Sequence, residues 1–155
     1  MSQAILDAVV ERFGESLIAT GSPLGDETIV VHREQLLDVA LFLRDDPRCL
    51  CNLPLDLTAV DYSTYPEPKP AKERFELVVH VRSLQLKQRV RVKVPIPEED
   101  PTVPSLVGIW KGLIWFERET WDMFGIRFAG HPDLRRILLW EEFKGHPLRK
   151  DYPLR

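Results

Sequence analysis

Two strand-like segments in the middle of the chain constrain its fold most strongly. Residues 88–96, QRVRVKVPI, alternate apolar and cationic side chains, and residues 74–84, RFELVVHVRSL, are rich in β-branched residues. Side chains of a strand point alternately to opposite faces, so the first pattern predicts a strand with one face towards a core. The inward positions are Val90, Val92 and Val94, and the solvated positions are Arg89, Arg91 and Lys93. The chain is therefore expected to contain a sheet with one buried face.

Helices are predicted both before and after these strands along the chain. AILDAVVERF near the N-terminus and residues 33–46 carry apolar side chains at helical spacing, and residues 105–124 predict one long helix ended by Gly125. Residues 27–32 and 48–62 predict further strands. The expected fold class is α+β, with a small mixed or antiparallel sheet packed against N-terminal helices and the long helix, and an irregular C-terminal tail.

The domain organisation follows from length and from the tail. A chain of 155 residues suits one domain, so Pro66, Pro68 and Pro70 are expected in an exposed loop rather than at a boundary. Residues 126–155 combine glycines and prolines with many apolar side chains that have no sustained period. We expect residues 1–125 to form an α+β unit and residues 126–155 an extended docking tail within the same single domain.

Composition excludes several classes of protein. A formal net charge of -3 argues against a general nucleic-acid binder. Two cysteines cannot form a disulfide framework or hold an iron–sulfur cluster, and Cys49 and Cys51 are expected to be buried core residues in a reducing compartment. The most apolar stretch, SLVGIWKGLIWF, is shorter than the roughly 20 residues that a membrane span needs.

The C-terminal region contains the phrase GHP twice, at residues 130–132 and 145–147, each followed by cations. His131 and His146 could act in catalysis with Asp133 or Asp151 as orienting carboxylates. The adjacent guanidinium groups of the first copy could bind an anion. Docking to another protein is favoured, because arginine and tryptophan are enriched in interfaces. In that interpretation the histidines hold the turns by hydrogen bonds.

Three carboxylates, Glu117, Glu119 and Asp122, lie near the end of the predicted long helix. Arg118 has the spacing for an ion pair with Asp122, and the carboxylates could also cross an interface to pair with the arginines of the tail. Two other functions stay open on these residues. One is a small hydrolase or isomerase that uses Glu119 or Asp122 with His131, and the other is a polyanion-binding module that uses the strand at 89–93.

Residues 117–154, ERETWDMFGIRFAGHPDLRRILLWEEFKGHPLRKDYPL, resemble the 30-kDa subunit (the C subunit) of respiratory complex I, the proton-pumping NADH:quinone oxidoreductase. The resemblance continues more loosely upstream, to about residue 27. Trp121 stands where a tyrosine is common in that family, and Leu139 and Trp140 stand where a Thr-Asp pair is usual. These departures stay within the apolar and aromatic character of the motif.

The resemblance implies a non-catalytic structural subunit of the peripheral arm, in the quinone-reducing module. Its partners would be the 49-kDa-like (D) subunit and the iron–sulfur subunits (B and I), with no nucleic acid. It would be an enzyme component only within the complex, at the cytoplasmic face of the bacterial inner membrane, and would meet the membrane only through the complex. FMN and iron–sulfur clusters would lie in partner subunits, and this chain would have no catalytic, cofactor-binding or metal-binding residue. A related complex fed by ferredoxin or another donor is the alternative.

The resemblance also implies a set of motif positions that order the tail and contact other subunits. These positions are Glu117, Arg118, Glu119, Asp122, His131, Asp133, Arg135, Arg136, His146, Arg149 and Lys150.

Overall fold

A computed structural model of the chain describes residues 3–154. Its centre is a five-stranded mixed sheet with the strand order β1-β2-β5-β4-β3. Neighbouring strands are antiparallel except β2 and β5, which are parallel. The strands are β1 (Leu17–Gly21), β2 (Thr28–Val31), β3 (Leu53–Asp61), β4 (Phe75–Ser83) and β5 (Gln88–Ile96). The predicted α+β class with a mixed sheet is confirmed.

The alternation in the two central strands produces the buried face of this sheet. In the register of β4 and β5, Leu77 lies opposite Val94, and Val79 lies opposite Val92. All four side chains are almost fully buried. The intervening cations of β5 alternate with these valines and are only partly buried or exposed, as the pattern predicts.

Two N-terminal helices contribute to the apolar cluster at this face, together with Met123 and Phe124 of the third helix. They are α1 (Gln3–Phe13) and α2 (Leu36–Asp45), and both were predicted. Ile5 and Val9 of α1 and Leu36 and Leu43 of α2 have no more than 1% of their surface exposed and belong to the same cluster as the strand valines. The helical spacing of these residues places them on one side of each helix, so each helix buries one stripe and leaves the other in solvent.

The prediction of one long helix over residues 105–124 is wrong for the first half of that range. The third helix, α3, spans Ile114–Phe124, and residues 105–113 form turns and a single 3₁₀ turn. Trp110 has extended backbone angles, and its indole nitrogen donates to the Cys51 carbonyl at 2.9 Å. The segment is apolar nearly all round because it is a buried loop, in which Leu106, Trp110 and Leu113 all enter the core.

Three short strands escaped the sequence prediction. One is β1, and the other two, β6 (Thr102–Pro104) and β7 (Arg127–Ala129), form a separate parallel pair. The tail therefore starts as a strand and becomes irregular only over residues 130–154, which contain turns and bends but no helix or strand. Cys49 and Cys51 precede β3 instead of lying within it, and both are fully buried.

The prolines of the 62–74 region are exposed in the loop between β3 and β4, as predicted. Within residues 3–154, none of the helices has both the length and the apolar character needed to cross a membrane.

Candidate functional site: the C-terminal tail on helix α3

The tail, residues 126–154, is held to α3 through the fully buried side chain of Asp122. Its Oδ1 atom accepts a hydrogen bond from Arg136 Nη1 at 2.7 Å. Its Oδ2 atom accepts three more, from the consecutive backbone N–H groups of Ile137, Leu138 and Leu139 at 3.1, 2.9 and 3.0 Å. One carboxylate thus fixes the path of four successive residues of the tail.

These contacts also decide the protonation of Asp122. Burial alone would raise the pKa of the carboxyl group, but the Arg136 guanidinium and the three backbone N–H groups outweigh it and lower the pKa. The group is therefore a carboxylate at neutral pH, and both of its oxygens have partners.

Arg136 lies inside the molecule, with only 10% of its side chain exposed. Besides Asp122 it donates from Nη2 to the carbonyls of Phe143 and Gly145, at 2.7 and 3.1 Å. Its guanidinium carbon lies over the rings of Trp121 and Phe143, at 5.6 and 5.5 Å from their centroids. The planar guanidinium thus joins α3 to the tail at Phe143 and Gly145. Few of its N–H groups remain free to bind another subunit.

Arg118 contacts the tail in a different way from the sequence prediction. Its Nε and Nη2 atoms donate to the carbonyls of Arg135 and Arg136, at 3.1 and 2.8 Å. The predicted ion pair with Asp122 within the helix is wrong, because the oxygens of Asp122 are taken by the tail. Of the three helix carboxylates in residues 3–154, Asp122 pairs with a tail arginine, Arg136, and this pair lies within the chain rather than across an interface.

Glu117 is the second fully buried carboxyl group of α3. It accepts hydrogen bonds from Ser105 Oγ and from the Leu106 N–H, both at 2.6 Å, and its Oε2 lies 3.9 Å from His131 Nε2. Burial raises the pKa of Glu117, and the two hydrogen bonds offset this only in part. It joins the loop before α3 to the helix itself.

The two GHP phrases place one histidine near each end of α3. His131 donates from Nε2 to the Ile114 carbonyl at 2.9 Å, while its Nδ1 accepts from the Asp133 N–H at 3.0 Å. His146 donates from Nδ1 to the Asp122 carbonyl at 3.0 Å. Burial and then the nearby arginines lower the pKa of His146. Both histidines therefore hold turns through backbone contacts, as the docking interpretation expected.

The C-terminal end of α3 is closed by the second phrase. Arg149 donates from Nε to the Phe124 carbonyl at 2.6 Å, which satisfies a helix-end carbonyl with a cation. Gly125 follows with a φ of 78°, and a Cβ atom there would lie 2.6 Å from both Arg149 Nη2 and His146 Cδ2. Glycine is required here by conformation and by space.

The last described residues return to the sheet. The Lys150 N–H donates to Asp61 Oδ2 at 2.9 Å, and Arg74 makes ion pairs with both Asp61 and Asp151 at 3.0 Å. Burial would raise the pKa of Asp61, but Arg74 and the backbone donors outweigh it and lower the pKa. The tail is thereby held at both ends, by α3 and by β3.

The structure sorts the eleven predicted motif residues into two groups. The internal network contains Glu117, Arg118, Asp122, His131, Arg136, His146, Arg149 and the backbone of Lys150. The solvent-facing group contains Glu119 and the ion pair of Arg135 with Asp133 at 2.9 Å, whose side chains are 60% and 50% exposed. In the alternative of a hydrolase, His131 would act with Glu119 or Asp122. In the structure, backbone groups occupy both ring nitrogens of His131, and the oxygens of Asp122 lie in the network.

Large exposed apolar side chains make up a feature that the predicted motif positions did not include. On α3 and the tail, the large apolar residues that are at least half exposed are Trp115 (68%), Leu138 (62%), Trp140 (63%), Leu148 (50%) and Leu154 (92%). The sequence shows these residues to be apolar, but their direction depends on how the backbone of the tail is fixed. In residues 3–154 no group of three or more His, Cys, Asp or Glu side chains is placed to hold a metal ion.

Residues 29–155 match the model of the family described as respiratory-chain NADH dehydrogenase, 30 Kd subunit. The chain belongs to this family. The resemblance found in the sequence is thereby confirmed, and it covers the sheet from β2 onwards, α3 and the tail.

Individual members of the 30-kDa subunit family agree with this assignment. The NADH-quinone oxidoreductase C 2 subunit of Rhizobium etli is 45% identical over 147 residues, covering 95% of this chain and 75% of that protein. The NADH-quinone oxidoreductase C subunit of Thiobacillus denitrificans is 47% identical over 142 residues, covering 91% and 71%. Both are named as subunits of NADH-quinone oxidoreductase.

Two solved structures are also similar. A trypsin-resistant fragment of Nqo5 has a TM-score of 0.69 and 33% identity, covering 84% of this chain and 99% of the fragment. A chain of the archaeal membrane-bound sulfane sulfur reductase has a TM-score of 0.77 and 21% identity, covering 98% and 85%. The second similarity shows a shared fold only.

Proposed function

We propose that this chain is a non-catalytic structural subunit in the peripheral arm of a complex-I-type NADH:quinone oxidoreductase. In this proposal its tail holds neighbouring subunits of the quinone-reducing module in register. The observation that carries the proposal is that two groups of side chains in this region differ in their environment. Buried charged residues fix its path on α3, whereas Leu138, Trp140, Leu148 and Leu154 are at least half exposed.

Exposed tryptophan and leucine side chains on a fixed backbone suit a protein–protein interface. Tryptophan is enriched among the residues that dominate binding energy, particularly where a partner excludes water from it. Trp140 is 63% exposed and packs edge-to-face on Phe143, with ring centroids 4.9 Å apart. A surface ordered before binding loses less conformational entropy when the partner arrives. The tail is thus suited to docking without any further folding step.

The partners that fit the proposal are the 49-kDa-like (D) subunit and the iron–sulfur subunits (B and I). FMN and the iron–sulfur clusters would lie in those and other subunits, and this chain would contribute position rather than chemistry. It would meet the membrane only through the complex, at the cytoplasmic face in a bacterium. We treat residues 126–155 as a docking tail that belongs to the same folded domain as residues 1–125. The equivalent subunit of a complex with another electron donor is the alternative.

The test uses a strain without its own copy of this chain, complemented with variants. Leu138→Ala combined with Trp140→Ala is expected to lower the melting temperature of the isolated chain only slightly, through loss of the contact between Trp140 and Phe143. The same variant should reduce the amount of assembled peripheral arm and lower the NADH:quinone activity in proportion. Leu84→Ala is the matched control, since Leu84 is 58% exposed in the turn between β4 and β5, far along the chain from the tail. Full assembly with lost turnover per complex would contradict the structural role.

A further inference from the structure

The outward face of α3 carries an exposed tryptophan and an exposed carboxylate one helical turn apart. Trp115 is 68% exposed, and Glu119 follows four residues later on the same helix and is also exposed. Side chains four residues apart on a helix are neighbours, about 5–6 Å between Cβ atoms. Within residues 3–154, Glu119 has neither an ion pair nor a side-chain hydrogen bond, unlike Glu117, Arg118 and Asp122 beside it.

Elsewhere in this chain, the same combination of an aromatic ring and a carboxylate holds an arginine. Arg136 lies over Trp121 at 5.6 Å and pairs with Asp122 at 2.7 Å. A second example has the same four-residue spacing as Trp115 and Glu119. Arg48 lies over Phe42 at 5.9 Å and pairs with Asp46 at 2.9 Å.

A third example lies at the sheet, where Arg74 is 4.9 Å from the Phe75 centroid and pairs with Asp61 at 3.0 Å. All cations that lie over aromatic rings in the described part of the chain are arginines. A guanidinium can stack on a ring and point its N–H groups at a carboxylate at the same time, whereas a lysine ammonium is a single point charge.

We propose that Trp115 and Glu119 together receive an arginine side chain of a neighbouring subunit. The proposal rests on the proposed function and adds the chemistry of one contact to it. Charge complementarity selects the occupant, because the exposed carboxylate and the electron-rich face of the indole both attract a cation. None of the cation–π contacts within residues 3–154 involves Trp115, including any with Lys111 one turn before it, and the Trp115 side chain is 68% exposed.

The contact can be identified directly in the assembled complex. Trp115 is replaced by the photocrosslinking residue p-benzoylphenylalanine in the full chain, and the purified complex is irradiated and digested. The expected product joins position 115 to a peptide of another subunit that contains an arginine beside the crosslink. A crosslink to a peptide without arginine, or to a second copy of this chain, would overturn the proposal.

Variants test the energetics in the same complex, as retention of the chain through washes of increasing NaCl concentration. Glu119→Gln is expected to weaken retention about twofold to fivefold, and Glu119→Lys should weaken it further through repulsion. Trp115→Phe keeps an aromatic face and should lie between the unsubstituted chain and Trp115→Leu. Glu15→Gln is the matched control, since Glu15 is exposed next to α1. All of these side chains are exposed, so melting temperatures should not change.

The outcomes separate this proposal from the proposed function. If the Leu138 and Trp140 variants lose assembly while every Trp115 and Glu119 variant is retained normally, the arginine contact is wrong and the structural role stands. If the unsubstituted chain fails to purify with a multi-subunit complex, the structural role and the arginine contact both fall.

Discussion

Two buried carboxyl groups on one helix show how their hydrogen-bond donors determine the direction in which the pKa is shifted. Asp122 accepts from a guanidinium and three backbone N–H groups, and its pKa is lowered. Glu117 accepts from one hydroxyl and one backbone N–H, has only an imidazole nearby, and its pKa is raised by burial. Burial is common to both, so the number and charge of the donors decide the direction.

The neighbouring arginines 135 and 136 provide a matched pair for measuring this network. Arg136→Ala leaves the buried Asp122 without its cation, so we expect a loss of about 3–5 kcal/mol in the free energy of unfolding. Arg135→Ala removes only the exposed pair with Asp133, so it should leave the free energy of unfolding nearly unchanged. Urea unfolding of the isolated chain measures both. Equal effects of the two substitutions would show that Arg136 is not the internal contact described.

His146 predicts a pH dependence of stability. Its folded pKa lies below the unfolded value of 6.5, so the unfolded state binds more protons as the pH falls below 6.5. Stability is therefore complete above that pH and decreases with acidification until the folded pKa is reached. His146→Asn keeps an N–H donor for the Asp122 carbonyl but does not titrate. It should reduce the slope below pH 6.5 by at most about 1.4 kcal/mol per pH unit.

His80 also contributes to the pH dependence of stability, so it affects the slope measured for the His146→Asn variant. Burial and Arg91 lower its pKa too, so the slope of the variant should be smaller but not zero. An unchanged slope in the His146→Asn protein would mean that His146 titrates alike in the folded and unfolded states.

At the scale of elements, α3 is held from both ends by the repeated GHP phrase. His131 contacts the first residue of the helix, while His146 and Arg149 contact carbonyls of its last turn. The glycines that precede the two histidines, Gly130 and Gly145, both have positive φ. The repetition provides two separate turns that return the tail to one helix.

Alanine substitutions at Gly125 and Gly130 separate two contributions to the free energy of unfolding, the positive φ angle and steric crowding around the added Cβ atom. Gly125→Ala should lose about 1–2 kcal/mol from its positive φ, and more from the displaced Arg149 and His146 side chains. Gly130→Ala is the control, because Gly130 has a similar φ of 83° and open space around its Cβ position. Thermal unfolding of both variants measures the difference. If Gly130→Ala is as destabilising as Gly125→Ala, crowding contributes nothing.

The elements that could be predicted from the sequence are those with a clear period or a run of β-branched residues. The strand at 88–96 and the two N-terminal helices have such a period. Residues 105–113 were misassigned because an apolar run without a period is common to buried helices and buried loops. The strand β1 is five residues long and has an irregular register with β2 between Leu17 and Ala19, so no alternation marks it.

The sequence names the charged residues and histidines of this network, but neither their connections nor the exposed apolar side chains beside them. The spacing of Arg118 and Asp122 suits an ion pair, yet Asp122 binds groups that arrive from residues 136–139. Which of two adjacent arginines faces inward depends on the path of the tail, which has no regular pattern. The sequence therefore indicates that these residues act together, and only the structure shows that most of them act within the chain.

At the scale of the whole molecule, the core of residues 3–154 is a single apolar cluster that includes sheet, helices and the loop before α3. Cys49 and Cys51 lie in it, and burial raises the pKa of their thiols to about 11 and about 12. The thiolate is the reactive form, so neither thiol should react with a thiol reagent at pH 8 while the chain is folded.

The expected result is labelling of both thiols only as the chain unfolds, at the rate of global unfolding. Mass spectrometry of the folded protein over time, with a urea-denatured sample as the control, measures this. Rapid modification of one thiol in the folded protein would show that the segment around Cys49 opens independently.

The contact between Asp61 and the Lys150 N–H has a consequence for the order of events during synthesis. The two residues are 89 positions apart, so at about 5–20 residues per second Asp61 is synthesised roughly 4–18 s before its last partner. Arg74, 13 positions after Asp61, arrives much sooner. We expect the ion pair of Asp61 with Arg74 to form first and the end of the tail to close over it last.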